Sequence, residues 1–305
     1  MKRDIDTKGL ERILSPGAAV LKDEPMSAHT TFNIGGPADC MVSVADARDI
    51  AAVAGFCRRE ELPLFVMGNG SNLLVSDDGV EGVVLRTFGG FDGIIIDGET
   101  VTAQSGASLS KVAAQAAGAG LTGMEFAHGI PGSIGGAVYM NAGAYGGEMK
   151  DIVESTEYLD NSGERAVIGS AEHRFSYRHS AFSEGNGIIL LTTLRLRRAP
   201  KDEIYEKMDD FAKRRRDKQP LSQPSAGSVF RRPEGYFAGQ LIEKSGLKGR
   251  SVGGAMVSPK HAGFIVNTGG ATARDVMSLI ELIKKKVYED SGVRLKCEIK
   301  TVGRF

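Results

Sequence analysis

A glycine-rich stretch, residues 129–148, is the first candidate for a ligand-binding feature in this chain. It contains seven glycines and no Lys or Arg. Glycine is favoured where the backbone adopts positive φ or where another group must come close to the main chain. Amide N–H groups in such turns and at helix starts bind phosphates well. We therefore predict a phosphate-binding main chain that is neither an ordinary helix nor an ordinary strand; a glycine-rich surface loop is the alternative.

A second turn of the same character, residues 67–75, favours the interpretation as a phosphate-binding main chain over the interpretation as a surface loop. It contains two glycines, two asparagines and a serine, and it follows a short apolar run. Two such turns could hold one pyrophosphate between them. The turn is not a Rossmann fingerprint, because Leu73 takes the place of the third glycine and a strand, not a helix, is expected to follow. A P-loop is also absent, since no Gly-Lys dipeptide occurs in the sequence.

Arg178 and Ser228 are the first candidates for chemistry on a substrate. Arg178 lies in an aromatic and polar segment, residues 175–180, where its guanidinium could bind a carboxylate through two parallel hydrogen bonds. The segment is equally consistent with a turn that carries a surface arginine. Ser228 lies in a tight glycine turn beside two arginines, and a structural turn serine is its default interpretation.

Glu298 is a third candidate, although its local sequence is ordinary. It would lie on the polar face of the last strand, between Lys296 and Lys300. Taken alone, it is typical of a solvated carboxylate whose ion pairs contribute little. Ser108 and Lys111 match the S-x-x-K pattern of penicillin-recognising enzymes, but the companion motifs are missing and a helix-capping serine explains Ser108.

Length and charge limit the classes of protein to which this chain can belong. With 305 residues and 41% hydrophobic residues it should form two or three domains with buried cores. Lys plus Arg equals Asp plus Glu at 38 each, so we expect neither nucleic acid nor a membrane as partner. The charged start at residues 1–6 has no apolar run of signal-peptide length, and we expect a cytoplasmic protein.

The cysteines and histidines do not indicate a metal site. Cys40, Cys57 and Cys297 are far apart, odd in number and without C-x-x-C spacing. This argues against a disulfide framework and against zinc, and favours small apolar residues in a core. The five histidines are dispersed and no HExxH motif occurs. We expect no bound metal.

Hydrophobic periodicity predicts the helices and strands that must position these residues. The first predicted helix is short and has Leu10, Ile13 and Leu14 on one face. Helices are also predicted at 46–61 with Asp46 as N-cap, at 109–119 with Ser108 as cap, and at 202–216 with Ile204, Met208 and Phe211 inward. The last predicted helix begins at Thr272, has Asp275 in a capping box, and carries its apolar face on Val276, Ile280, Ile283 and Val287. The predicted strands are a buried one at 64–66, then 83–85, 94–96, 101–103, 152–159 and 188–197, and a last one with Val293, Leu295, Cys297 and Ile299 inward. Pro200 marks the expected domain junction.

Taken together, the motifs resemble the UDP-N-acetylenolpyruvoylglucosamine reductase family along almost the whole chain. Six segments carry the resemblance in order: residues 30–38, 68–75, 129–148, 175–180, 227–230 and the strand that contains Glu298. The resemblance implies an α+β protein with an FAD-binding domain of the PCMH or vanillyl-alcohol-oxidase type. This domain would consist of two subdomains, residues 1–80 and 81–198. A C-terminal α/β substrate-binding domain, residues 199–305, would follow.

The resemblance also implies a cofactor site in which the two turns hold the pyrophosphate of FAD. The residues expected to contact FAD are Gly68, Asn69, Gly70, Ser71, Asn72, Leu73, Ile130, Pro131, Gly132, Ser133, Gly135, Gly136 and Asn141. Some proteins of this fold bind the flavin covalently through a histidine in the first turn. Ser71 stands at that place here, so non-covalent FAD is expected, with NADPH as co-substrate.

By the same resemblance, the reaction reduces the enolpyruvyl ether of UDP-N-acetylglucosamine enolpyruvate to UDP-N-acetylmuramate. Arg178 and Glu298 would stabilise the charge that develops on the substrate carboxylate, and Ser228 would donate the proton. Tyr177 and Lys218 would contact the substrate. The alternative for Lys218 is a cation that only stabilises the end of a helix.

The chain departs from the family pattern at two places. Arg231 and Arg232 stand near the serine turn where some members carry Asn, and the tyrosine-bearing loop of the longer subclass is missing. The chain therefore resembles the shorter subclass, and a monomer is expected. Two alternatives share the cofactor turns: another FAD-dependent oxidoreductase of this fold, and a non-catalytic flavin-binding module.

Overall fold

The computed structural model describes residues 5–305, and seven α-helices occur in them. Residues 1–4, which contributed to the expectation of no leader segment, lie outside the described residues. The helices are α1 Thr7–Arg12, α2 Ala47–Arg59, α3 Leu109–Gly118, α4 Ile134–Met140, α5 Lys201–Lys218, α6 Ala238–Lys244 and α7 Ala273–Ser291. Short 3₁₀ helices occur at Met26–His29, Glu125–Ala127, Met149–Asp151, Ser170–His173 and Ala181–Glu184.

The strands are short, and most of them coincide with apolar runs of the sequence. They are β1 Ala19–Pro25, β2 Pro37–Ser43, β3 Leu64–Met67, β4 Leu73–Val75, β5 Val80–Arg86, β6 Ile94–Asp97, β7 Thr100–Gln104, β8 Leu121–Thr122, β9 Gly143–Ala144, β10 Gly147–Glu148, β11 Val153–Leu159, β12 Arg165–Gly169, β13 Ile188–Arg195, β14 Arg197–Arg198, β15 Ser251–Val252, β16 Ala255–Val257, β17 Ile265–Asn267 and β18 Lys300–Val302. The predicted strands at 83–85, 94–96, 101–103, 152–159 and 188–197 are confirmed.

The strands form three larger sheets and three two-stranded ribbons in the described part of the chain. The larger sheets have the orders β1-β2-β5-β3, β12-β11-β13-β7-β6 and β15-β16-β17. Strands β3 and β5 are parallel neighbours, and helix α2 connects β2 to β3 on the far side of β5 in the strand order. The ribbons are β10-β9, β14-β8 and β18-β4, and in the last of these the C-terminal strand runs parallel to the strand that follows the first glycine turn.

The chain divides into two compact units, and each is built from separate stretches of sequence. The first unit comprises residues up to Lys22, Cys40–Asn69 and Gly82–Arg214. The second comprises Asp23–Asp39, Gly70–Glu81 and Arg215–Phe305. The three domains predicted at 1–80, 81–198 and 199–305, with a junction at Pro200, stay a prediction.

The first unit has two hydrophobic cores. In one, helices α3 and α4 cover the five-stranded sheet, and residues such as Val101, Leu109 and Ile134 are fully buried. In the other, α2 covers the four-stranded sheet, and Cys40 and Cys57 are buried among aliphatic side chains. The interpretation of these two cysteines as small apolar core residues is confirmed.

Helix α5 packs onto the first unit over most of its length. Ile204 and Met208 are buried against Ala117 of α3. Phe211 is only half-buried and stacks on Tyr145 with ring centroids 4.5 Å apart. The inward face predicted for this helix is therefore confirmed for Ile204 and Met208, whereas Phe211 makes a surface stack.

The second unit is organised around helix α7. Its predicted apolar face is fully buried: Val276, Ile280, Ile283 and Val287. The predicted capping box of Thr272 and Asp275 is present. The carboxylate of Asp77 accepts two further bonds, from the N–H groups of Ala273 at 2.7 Å and Arg274 at 3.1 Å. The first N–H groups of the helix are thus satisfied by side chains, which fixes where the helix begins.

The structure corrects the prediction that residues 129–148 contain neither helix nor strand. Helix α4 and the hairpin of β9 and β10 both lie within this stretch. Ile134, Ala137 and Val138 have the i, i+3, i+4 spacing of a helix face, and all three are buried in the core. Tertiary packing of this face stabilises the short helix despite its two glycines.

Four smaller predictions were wrong in part, although the residues predicted to point inward on the last strand are buried or half-buried. Only Lys300–Val302 of the last strand belongs to a ladder, because residues 293–299 are joined to their neighbour by a single bridge, Phe230 to Cys297. Ile13 is 44% exposed because α1 ends at Arg12. Val66 is 36% exposed because β3 is an edge strand. Ser108 occupies the N-cap position of α3, but its side chain makes no capping bond.

Candidate active site

In the first unit, parts of the two predicted phosphate turns lie against each other. The side-chain amide of Asn69 donates a hydrogen bond to the backbone carbonyl of Pro131 at 2.7 Å. A Cβ atom at Gly68 would overlap the hydroxyl oxygen of Ser133. A larger residue here would displace the Ser133 hydroxyl, which accepts the N–H of Gly136, so the structure gives a steric reason for one glycine of the first turn.

Most amides of the second turn are already used inside the protein. The N–H groups of Gly132, Ile134, Gly135 and Gly136 donate to oxygens of Ile130, Ala107, Ser105 and Ser133. Within residues 5–305, the N–H groups of Asn69 and Ser133 donate no hydrogen bond. These two amides, from the two turns, are therefore available to phosphate oxygens.

In the second unit, the remainder of the first turn carries more such amides. Gly70 has φ +63, a conformation that glycine adopts without strain. The N–H groups of Gly70 and Ser71 donate no hydrogen bond to any other described residue. Strand β4 begins at Leu73, so the turn is followed by a strand, and the exclusion of a Rossmann motif is confirmed.

Backbone groups of Glu298 and Lys300 form hydrogen bonds with Asn72 of the first glycine turn. The side-chain amide of Asn72 donates to the backbone carbonyl of Glu298 at 3.3 Å. The N–H of Lys300 donates to the backbone carbonyl of Asn72 at 2.9 Å. These bonds extend the parallel pairing of β4 and β18, so the segment of Glu298 is held beside the turn predicted to hold the cofactor.

Ser228 lies on the neighbouring segment on the other side of Glu298. The N–H of Glu298 donates to the carbonyl of Val229, the next residue after Ser228, at 2.7 Å. Ser228 also forms a bridge with Phe264. Its side chain is exposed and that of Glu298 is half-buried. The structure thus brings Ser228 and Glu298 together on adjacent extended segments of the second unit.

Arg178 occupies a tight turn in the first unit. Ser176 and His179 exchange two backbone hydrogen bonds of 3.1 Å, and Tyr177 and Arg178 are the two central residues. Arg178 has φ +55, which is unusual for a residue with a side chain. Its guanidinium donates to the carbonyl of Gly143 at 3.2 Å and lies 5.2 Å from the centroid of the Tyr177 ring.

The side chain of Asn141, which caps the C-terminus of α4, connects three segments around Arg178. Asn141 is fully buried and has φ +44. Its Nδ2 donates to Glu148 Oε2 and to the carbonyl of Ser176, each at 2.9 Å. Its Oδ1 accepts from the N–H of Lys150 at 2.9 Å. Sequence reasoning missed the partners Glu148 and Ser176, because nothing local in the sequence indicates such contacts.

Ser180 anchors the same turn a second time, and sequence reasoning assigned it no role. Its hydroxyl donates to the carbonyl of Tyr139 at 2.9 Å, and the residue is fully buried. Burial also raises the pKa of Tyr139. A buried serine at the end of an aromatic and polar motif is a signal that could have drawn attention to this contact.

The two residues predicted to bind substrate lie in different units. Tyr177 belongs to the first unit and is 45% exposed. Lys218 is the last residue of α5, belongs to the second unit and is exposed. Burial raises the pKa of the Cys297 thiol beside Glu298, so this thiol is not set up as a nucleophile.

Comparisons with known proteins show the family to which the chain belongs. Residues 38–169 match a family model described as an FAD binding domain, and residues 219–302 match one described as UDP-N-acetylenolpyruvoylglucosamine reductase, C-terminal domain. The UDP-N-acetylenolpyruvoylglucosamine reductase of Caldanaerobacter subterraneus subsp. tengcongensis is 49% identical, over 96% of this chain and 97% of that protein. The chain belongs to the UDP-N-acetylenolpyruvoylglucosamine reductase family.

Two further relatives support membership of the reductase family. The reductase of Syntrophomonas wolfei subsp. wolfei is 46% identical, over 94% of this chain and 96% of that protein. The crystal structure of the reductase from Thermus caldophilus has a TM-score of 0.80 and 38% identity, and covers 93% of this chain and 98% of that one. The expected fold class, an FAD-binding domain followed by a C-terminal reductase domain, is confirmed.

As a member of the reductase family, the chain is an FAD-dependent oxidoreductase of peptidoglycan precursor synthesis that uses NADPH. Each unit, taken by itself, has amides of the type that binds phosphate groups such as those of FAD: within residues 5–305, the N–H groups of Asn69 and Ser133 in the first unit and of Gly70 and Ser71 in the second donate no hydrogen bond. Among the described residues, no cluster of His, Cys, Asp or Glu could hold a metal ion. None of the helices that the structure describes has the length and apolarity needed to span a membrane.

Proposed function

We propose that Arg178, Ser228 and Glu298 carry the chemistry by which this chain reduces the enolpyruvyl ether of UDP-N-acetylglucosamine enolpyruvate to UDP-N-acetylmuramate. The observation that carries the proposal is the bonding of the Glu298 segment. One side of this segment is bonded to Asn72 of the cofactor turn, and the other is bonded to Val229 next to Ser228. A proton donor and a carboxylate are thereby held in fixed register with the turn proposed to bind FAD.

Bound FAD supplies hydride transfer from NADPH to the substrate. Hydride addition to the methylene carbon of the enol ether leaves an electron pair on the neighbouring carbon and its carboxylate. A proton delivered to that neighbouring carbon then completes the reduction. Residues that stabilise the developing charge and donate this proton lower the barrier, because their interactions strengthen in the transition state.

Arg178 is the residue suited to bind the substrate carboxylate. A guanidinium keeps its charge at every physiological pH and presents parallel N–H groups that match two carboxylate oxygens. Its position in a two-residue turn and its hydrogen bond to the carbonyl of Gly143 limit the orientations that the guanidinium can take. Pre-orientation of this kind reduces the entropy cost of reaching the transition state.

Ser228 is the residue suited to proton donation. Its hydroxyl is exposed on an extended segment that is fixed by the bridge to Phe264 and by the bond from Glu298 N–H to Val229. A serine hydroxyl is a weak acid, but the carbon that it would protonate is strongly basic, so correct positioning suffices. Glu298 on the adjacent segment would complete the polar environment of the developing enolate.

Tyr177 and Lys218 are proposed to hold the substrate. Lys218 is exposed at the end of α5, and its ammonium has the charge suited to the diphosphate of the sugar nucleotide. Tyr177 shares the turn of Arg178 and offers an aromatic face beside it. A monomer and a cytoplasmic location are also proposed. Sedimentation velocity of the FAD-loaded protein would test the first, and a dimer mass would refute it.

The proposed function is tested by following the visible spectrum of the purified protein without oxygen. We expect a yellow protein that NADPH bleaches and that UDP-N-acetylglucosamine enolpyruvate reoxidises. Bleaching without reoxidation by this substrate would favour the alternative of another FAD oxidoreductase of the same fold. A protein that cannot be loaded with FAD would overturn the proposed cofactor turns.

A further inference from the structure

The turn that carries Arg178 is held in a strained backbone conformation. Arg178 has φ +55 and Arg174, four residues earlier, has φ +48. Left-handed backbone costs free energy in a residue with a side chain, because its Cβ crowds the following carbonyl oxygen. Such a conformation persists only where surrounding contacts enforce it. The contacts that reach this turn therefore decide where the Arg178 guanidinium lies.

Asn141 supplies one of these contacts from outside the turn. Its Nδ2 donates to the carbonyl of Ser176 at 2.9 Å, and the same carbonyl accepts the N–H of His179 that closes the turn. Asn141 also has positive φ, which places its side chain beyond the last turn of α4. Asparagine is one of the few residues with a side chain that adopts this conformation readily.

The other bonds of Asn141 hold the hairpin against which the Arg178 guanidinium rests. The second hydrogen of Nδ2 goes to Glu148 in β10, and Oδ1 accepts the N–H of Lys150. The hairpin partner of Glu148 is Gly143, whose carbonyl accepts the hydrogen bond from Arg178. One buried amide thus holds both the turn that carries Arg178 and the carbonyl that receives its guanidinium.

We infer that Asn141 is a positioning residue, which orients Arg178 for the substrate carboxylate. The inference rests on the proposed role of Arg178. It differs from the cofactor contact that the family resemblance implies for Asn141. Both hydrogens of Nδ2 are used within the protein and the residue is fully buried, so the amide group has no donor left for a ligand.

The experiment compares the two half-reactions in Asn141→Gly by anaerobic stopped-flow absorbance. Glycine removes the three side-chain bonds and keeps the left-handed backbone without strain. We expect FAD content and the rate of reduction by NADPH to stay within about twofold of the parent. Reoxidation by UDP-N-acetylglucosamine enolpyruvate should be about 10- to 100-fold slower, as for a catalytic group displaced by roughly an ångström.

Asn186→Gly is the matched control. Asn186 is an exposed residue of the same unit, and its Nδ2 donates to the carbonyl of Ala181 at 2.8 Å. This variant loses one amide-to-carbonyl bond but none of the contacts to Ser176, Glu148 or Lys150. Both half-reactions should keep their rates. Slow reoxidation in this control would show that loss of an amide-to-carbonyl hydrogen bond away from Arg178 is enough to slow the reaction with substrate. That result would overturn the inference.

A double-mutant cycle with Arg178→Ala separates positioning from an independent role. If Asn141 acts through Arg178, Asn141→Gly should slow reoxidation by less than about twofold once Arg178 is alanine. Multiplicative losses would show that Asn141 acts independently of Arg178. Loss of FAD, or equal slowing of both half-reactions, would indicate a cofactor contact instead. Either result overturns the inference.

The same cycle separates failure of the inference from failure of the proposed function. If Arg178→Ala alone leaves reoxidation unchanged, the proposed role of Arg178 is wrong. If Arg178→Ala is slow and Asn141→Gly is normal, only the inference is wrong. Should Asn141→Gly not fold, Asn141→Asp keeps the size and the acceptor for Lys150 but lacks the amide donor, and the same selective slowing is expected. Failure of both variants to fold would assign Asn141 to the fold as a whole and overturn the inference.

Discussion

The side-chain amide of Asn72 donates to the backbone carbonyl of Glu298 at 3.3 Å, across 226 positions of sequence. This bond joins a turn proposed to hold FAD to a segment proposed to act on the substrate. Next to it, the N–H of Glu298 donates to Val229 at 2.7 Å. Three stretches of the second unit are therefore held in one register, and changes to their polar side chains should affect separate steps of the reaction.

Ser228→Ala should separate the two half-reactions. The hydroxyl is needed only when the substrate carbon is protonated, so reduction of FAD by NADPH should keep its rate. Reoxidation by substrate should fall by about 100- to 10,000-fold, the usual contribution of a general acid. Rapid-scanning absorbance measures both rates. Ser251→Ala, at an exposed serine of the same unit whose hydroxyl donates to the carbonyl of Gly249, is the control and should change neither rate. Equal losses in both halves of Ser228→Ala would contradict the proton-donor role.

Arg178→Lys should also impair only the reaction with substrate. Lysine keeps the charge but cannot form the paired, parallel hydrogen bonds of a guanidinium. It also loses the bond to the carbonyl of Gly143. We expect reoxidation to slow by at least about tenfold, the effect of roughly one charge-assisted hydrogen bond. Near-normal turnover of this variant at saturating substrate would remove Arg178 from the mechanism.

Gly68→Ala should weaken FAD binding. A methyl group at this position would overlap the Ser133 hydroxyl and push the two turns apart. Equilibrium dialysis should show a higher dissociation constant for FAD, and adding Ser133→Gly should restore part of the affinity. Gly55→Ala in α2, where a Cβ meets only the Arg59 side chain at 3.6 Å, is the control. It should bind FAD normally and gain about 0.5–1 kcal/mol in free energy of unfolding; normal FAD affinity in Gly68→Ala would refute the steric argument.

The stability of the first unit should fall in mild acid because of His173. This residue is fully buried, stacks on Phe175 at 4.7 Å and bonds to Thr156 Oγ1 at 2.8 Å. Burial lowers the pKa of His173 below its usual 6.5. Between the two pKa values, His173 is therefore protonated in the unfolded chain but neutral in the folded protein. The free energy of unfolding is at its full value above pH 6.5 and falls as the pH drops towards the folded pKa.

His173→Gln tests this assignment, because glutamine is polar at the same place but does not titrate. Urea unfolding at a series of pH values from about 7.5 to 5 should give a shallower slope for the variant than for the parent. His261 in the second unit also has a pKa lowered by burial, so some pH dependence should persist. An unchanged slope would show that His173 is not the group responsible.

Local sequence was sufficient for the parts of the fold that depend on neighbours in the chain. Asp46 caps α2 by accepting the N–H of Arg48 only two positions away, and Thr272 and Asp275 cap each other across three. Helix faces and turn glycines likewise depend on spacings of a few residues, so periodicity predicted them. The same local logic failed for residues 134–140, because two glycines argue against a helix and only burial of the apolar face stabilises one.

For the candidate site, too, local sequence predicted some features and tertiary structure decided others. Sequence motifs and the family resemblance singled out Arg178, Ser228 and Glu298, but each was equally or better explained by an ordinary surface role when taken alone. Whether Glu298 lies beside Ser228 depends on the pairing of segments about seventy positions apart. Such pairings form because core residues such as Val229 and Leu295 must be buried together, and no local pattern encodes them.

By itself, then, the sequence determined the family, the glycine turns and the capped helices, since these follow from residue types at short spacings. Only the tertiary structure decided that Asn72 bonds to Glu298, that Gly68 packs against Ser133 and that Asn141 supports the turn of Arg178. These contacts join residues from 35 to 226 positions apart. They exist because buried polar groups must find partners wherever packing of the apolar cores brings the chain together.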